Sequence, residues 1–76
     1  MNTSKYDGIV SALLLAKHRT GASFQAIADR TGISVSTLTR RLDRPEDFTV
    51  YELGILARTL RVPMDDMRAA IVRACS

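Results

Sequence analysis

The chain has 76 residues, one cysteine, one histidine and a net charge of +3. That length supports one core and leaves little to wall a catalytic pocket, so a single domain over residues 1–76 is expected. A lone cysteine excludes an internal disulfide and a cysteine-based metal site, and it suits a reducing compartment.

The first helix is expected over residues 5–18. Ile9, Leu13 and Ala16 line one side, Val10 and Leu14 extend the stripe, and Thr20-Gly21 ends it. Its apolar run, IVSALLLA, falls well short of the ~20 residues that span a bilayer. Asp7 before that run, and Lys17, His18 and Arg19 after it, also do not fit a signal peptide. A soluble intracellular protein, with no membrane partner, is the expectation.

The second helix is read over Phe24–Thr31, with Ser23 as its N-cap and Ile27 and Ala28 facing inward. Gly32 stops it where the chain needs positive φ. Ile33 turns back into the core, and Ser34 caps a third helix. This helix, VSTLTRRLD, is rich in hydroxyls, which compete for nearby backbone groups and make indifferent helix formers. Leu38 and Leu42, four apart, would anchor it. Arg44-Pro45-Glu46-Asp47 is a turn, because proline breaks the helix before it.

The fourth helix, Val50–Leu60, has the clearest local signature. Thr49 and Glu52 form a capping box, flanked by a Phe48/Leu53 hydrophobic staple. Its buried stripe is Leu53, Leu56 or Ala57, and Leu60. Val62 and Met67 repeat the staple spacing around Pro63, opening a fifth helix over Met64–Ala74. Asp65 and Asp66 suit the positive end of that helix dipole. No strand pattern appears, so the class is all-α with five short helices.

The three-residue link Gly32-Ile33-Ser34 sets the second and third helices at a steep angle, the helix-turn-helix geometry, over about residues 23–43. Charge concentrates there too. Residues 17–44 hold six Lys or Arg against two acids, and the rest holds five against six. A basic segment in a balanced chain is the footprint of a polyanionic partner.

Several features then fall into one pattern: Ile27-Ala28, Gly32-Ile33-Ser34, Ser36-Thr37-Leu38, Arg40-Arg41-Leu42 and Phe48-Thr49-Val50-x-Glu52-Leu53. Ala57-x-x-Leu60-x-Val62 and the acids opening the fifth helix continue it. From Ser23 to about Met67 the chain resembles the Cro/phage-repressor (XRE) type helix-turn-helix family, including immunity-repressor-like proteins of actinobacterial phages. Three positions depart from that pattern. Thr31 replaces an apolar residue before the turn glycine, and Phe24 stands where several members have glutamine. Arg61 replaces the usual glycine after the fourth helix, which leaves that helix expected to end without a left-handed cap.

The resemblance implies a compact five-helix lambda-repressor-like DNA-binding domain, a Cro-like regulator whose third helix enters the major groove N-terminal end first. With Leu38 and Leu42 inward, Val35, Ser36, Thr39, Arg40 and Asp43 face out. Small side chains early in this helix allow close approach. Val35 suits a thymine methyl, Ser36 and Thr39 a base or phosphate, and Arg40 guanine N7 and O6 or a phosphate. Ser23 and Gln25 stand at a helix N-terminus suited to a phosphate. Lys17, Arg19 and Thr20, from the end of the first helix, and Thr37 are further phosphate candidates. Arg41 and Arg44 suit phosphates or salt bridges with Asp43 or Glu46, and Val50 and Tyr51 could border the DNA backbone.

Nothing in the pattern suggests an enzyme, a metal site, a cofactor or a small-molecule ligand. His18 sits among helix-end cations, and Asp65-Asp66 are explained by the dipole. The rival to a DNA-binding regulator is a protein-interaction module such as an antitoxin. It rests on Met64, Met67, Ile71, Val72 and Cys75, more apolar surface than one stripe requires. The same surplus suits a homodimer through the fifth helix, or a terminal helix packed on the first.

Overall fold

Helix ends are set by local chemistry, and in this chain most of them close as their residues dictate. The computed structural model describes residues 4–76; the first three residues of the expected domain lie outside that range. Five α-helices follow in order: α1 (Asp7–Thr20), α2 (Phe24–Thr31), α3 (Val35–Asp43), α4 (Val50–Leu60) and α5 (Met64–Ala74). One 3₁₀ turn, Pro45–Asp47, joins α3 to α4. The described residues contain no strand, and the architecture is an all-α five-helix domain.

α1 is shifted by two residues from the expected span at each end. Its first turn has no side-chain cap. Instead Ser4 and Asp7 lock a preceding turn, the Asp7 amide donating to Ser4 O and the Ser4 amide to Asp7 Oδ2, both at 3.0 Å. At the other end the helix runs through Thr20 to Gly21, which adopts φ +70° and closes onto the Lys17 and His18 carbonyls. α2, α4 and α5 occupy the spans read from sequence; side chains cap the first two, and α5 starts after Pro63 with no side-chain cap. Ser23 accepts from the Ala26 amide, and Thr49 and Glu52 complete the reciprocal capping box.

One apolar cluster joins all five helices, built on Ile9, Leu13, Ile27, Leu38, Leu56, Leu60 and Met67. Ile33 is buried in it, and Leu42, Phe48 and Ala28 pack against it half-buried. Both Leu56 and Ala57 are buried. Leu14, expected to widen the stripe of α1, is instead 42% exposed, because the buried arc follows Ile9, Leu13 and Ala16. α5 packs chiefly on α1. There Gly8 faces Ala70, and a Cβ on it would make ordinary van der Waals contact with the Ala70 Cβ at 3.6 Å.

Two departures noted in the sequence resolve in the fold. Thr31 is buried at 7% exposure, and its hydroxyl is satisfied twice. It donates to Ile27 O at 2.8 Å and accepts the Ile33 amide at 3.1 Å, bracing the turn from inside. Arg61 corrects the sequence expectation. It adopts φ 58°, ψ 43°, so α4 does end in a left-handed cap without glycine. The Val62 amide reaches Ala57 O at 2.9 Å and the Arg61 amide reaches Arg58 O at 3.3 Å, the two bonds of a Schellman motif. Burial of Val62 holds the chain in that turn.

Candidate nucleic-acid interface

α2 ends at Gly32, whose φ of +77° lets its amide close on Ala28 O while the chain reverses toward Ile33. Ser34 then caps α3, accepting the Thr37 amide at 3.1 Å and donating its own proton to Thr37 Oγ1 at 3.0 Å. Leu38 is buried and Leu42 half-buried, so α3 presents its opposite side outward. The hydroxyl-rich helix is thus held by its cap and by two leucines.

The outward side chains are chemically distinct. Ser36 is exposed and its hydroxyl bonds to no protein group among the described residues. Thr39 donates back to the Val35 and Ser36 carbonyls, each at 3.0 Å, which leaves only acceptor lone pairs facing solvent. Thr37 accepts from Ser34 and, at a long 3.5 Å, from Arg40 Nη2, so its own proton remains free to donate. Arg40 and Arg44 are exposed. Val35 is half-buried and borders, with Ser36, an open depression whose other wall includes Gln25, Ala28 and Asp29.

At the start of α2, Ser23 caps Ala26 while the Phe24 and Gln25 amides, the first two of the helix, have no intrahelical acceptor. Lys17 Nζ lies 4.6 Å above the Phe24 ring, which brings the end of α1 to this N-terminus. Phe24 therefore positions a cation where glutamine would offer a polar side chain. Gln25 is committed elsewhere, its Nε2 donating to Asp29 Oδ1 at 2.9 Å. Thr20 is also occupied: its hydroxyl donates to Lys17 O at 3.1 Å. Arg19 is exposed in the last turn of α1.

Arg41 departs from its expected partners. Its Nε donates to Glu52 Oε1 at 3.1 Å, rather than to Asp43 or Glu46. The same oxygen accepts the Thr49 amide at 2.9 Å. Burial alone would raise the Glu52 pKa, but the Thr49 amide and the Arg41 guanidinium outweigh it and hold the carboxyl below its usual value. Val50 is exposed and lines the groove between α4 and α5. Sequence reasoning missed the partners of two acids, Asp29 and Glu52. Gln25 and Asp29 stand four apart on a helix, a spacing that signals their hydrogen bond. Glu52 was found as a capping residue, but nothing local in the sequence ties it to Arg41.

Among the described residues no cluster of His, Cys, Asp or Glu is placed to hold a metal ion. No helix there is long and apolar enough to cross a membrane. Comparison with protein-family models, curated proteins and solved structures finds no match.

Proposed function

We propose that the protein is a sequence-specific double-stranded DNA-binding regulator of the Cro-like type, acting in the cytoplasm of a bacterial host. The observation that carries this reading is the exposed row on α3: Ser36, Thr39 and Arg40, opposite buried Leu38, on a helix joined to α2 by a tight glycine turn. Short side chains at the N-terminal end let the backbone approach base edges in the major groove. Arg40 offers two parallel donors to guanine O6 and N7. Thr39, while its proton is directed back to the helix, offers acceptor lone pairs, which suit the exocyclic amine of adenine or cytosine. Val35 suits a thymine methyl.

Phosphates would be met by the free amides at the start of α2, by Lys17 over Phe24, and by Arg19, Arg44 and the Thr37 hydroxyl. Arg41 retains its Nη donors for the same task while Glu52 holds its Nε. Selection of bound sites from random duplex DNA tests the reading. A defined site whose affinity falls steeply with salt supports it, and a salt-independent affinity would overturn it.

A second reading, a protein-interaction module such as an antitoxin, is favoured by a different observation. α4 and α5 leave an open apolar groove between them, and its lining shares no residue with the α3 surface.

A further inference from the structure

The groove between α4 and α5 is lined by two matching stripes. α4 contributes Val50, Leu53, Gly54, Ala57 and Arg58; α5 contributes Met64, Met67, Arg68, Ile71 and Val72. Each set follows the i, i+3, i+4, i+7, i+8 spacing of one helix face. The groove encloses about 430 Å³. Its edges are unusually apolar for a surface, with Val50 88%, Met64 71% and Val72 60% exposed. Each stripe rises about 12 Å, two to three helical turns, which is the footprint of a single packed helix.

Gly54 lies in the middle of α4, where glycine weakens a helix relative to alanine. Nothing within the chain explains it: a Cβ built there meets no atom within 4 Å, whereas one on Gly8 would touch Ala70. Gly54 does not have positive φ either. Its effect is on the outside, where it lowers the groove wall so that another backbone can approach closely.

The charges select the occupant. The lining contains two cations, Arg58 and Arg68, and no anion. Arg58 makes no ion pair among the described residues, and Arg68 meets Asp65 only at 3.9 Å, both side chains largely exposed. The same groove of a second copy would bring only arginines and no lining carboxylate to pair with Arg58 and Arg68, whereas an acidic partner supplies them. We infer that the groove docks an amphipathic helix of another protein whose apolar face is flanked by acidic residues, with Gly54 at the point of closest approach and Arg58 and Arg68 on its carboxylates. The inference rests on the protein-partner reading and is independent of DNA binding.

The test uses three designed helical peptides. One has leucine at i, i+3, i+4 and i+7 flanked by glutamate, the second has the same leucines flanked by lysine, and the third is a scramble of the first without an apolar face. Calorimetric titration of the full chain should give at least about tenfold tighter binding for the glutamate peptide than for either control. Arg58→Glu with Arg68→Glu should reverse the preference toward the lysine peptide. Gly54→Leu should abolish peptide binding without lowering the melting temperature, and should leave affinity for duplex DNA unchanged. Equal binding of the glutamate and lysine peptides would overturn the acidic-partner inference while keeping a protein partner. No binding of either apolar-faced peptide, or a stable homodimer in sedimentation that Gly54→Leu disrupts, would overturn it, the former removing the protein-partner reading as well.

Discussion

Glu52 Oε1 accepts two hydrogen bonds at once, from the Thr49 amide at 2.9 Å and from Arg41 Nε at 3.1 Å, and so ties α3 to the cap of α4. Arg41 and Glu52 keep 26% and 14% of their side chains exposed, so the pair is partly sheltered but not dry. Its direct Coulomb contribution is modest. Its consequence is geometric: α3 cannot rotate about its axis without giving up its bond to the residue that caps α4.

A pH dependence follows from that arrangement. The carboxyl of Glu52 titrates below its usual value in the folded protein, and the unfolded chain binds its proton more readily. Its contribution is therefore fully present above the unfolded pKa and lost as pH falls through the lowered folded pKa. Glu52→Gln should cost about 1–2 kcal/mol at pH 7, from the weakened capping box and the lost charge on the pair. Urea denaturation of both proteins at pH 7 and in strong acid checks this. The gap between them should close at the acid end, and a gap independent of pH would remove the charge from the account.

Arg40 carries the sharpest expectation on DNA. Arg40→Ala should weaken binding to the selected site more than to random duplex, by ~1–3 kcal/mol. Equal losses on both would make Arg40 a phosphate contact. Among the described residues its side chain makes only a long 3.5 Å hydrogen bond, to Thr37, so the substitution should leave the melting temperature nearly unchanged.

Thr31 is legible as polar in the sequence but not as necessary. With its hydroxyl between Ile27 O and the Ile33 amide, Thr31→Val keeps the shape and strands the amide in a buried turn. A loss of about 1–3 kcal/mol in denaturant unfolding is expected, with Thr31→Ser nearer the parent. A neutral valine variant would mean that the amide finds another partner.

What the sequence could convey depended on distance along the chain. α2, α4 and α5 were readable to the residue because Ser23, the Thr49/Glu52 box and the Val62/Met67 pair act within one turn. α1 was misplaced at its start because no side chain caps it and the Ser4–Asp7 turn leaves no common motif. At the candidate interface, the outward position of Ser36, Thr39 and Arg40 follows from Leu38 and Leu42. The direction of each hydroxyl proton does not, since it depends on rotamers and neighbours. The Arg41–Glu52 bond spans eleven positions and two helices, beyond any periodicity.

Arg61 shows how far tertiary packing can override residue preference. An L-residue in the left-handed region costs about 1–2 kcal/mol, and glycine avoids that cost at the expense of about 0.5–1 kcal/mol in unfolded-chain entropy. The conformation persists here because Val62 is buried and its amide closes on Ala57 O, so a different turn would lose both. The two terms differ in favour of glycine, and Arg61→Gly should stabilise the fold by about 0.5–1 kcal/mol. A valine at this position should destabilise it, because β-branching adds to the left-handed strain without restoring any contact. Thermal melts of the two variants test the sign. Both remove the same charge from outside the basic segment of residues 17–44, so a gap between their stabilities reports the backbone and not electrostatics.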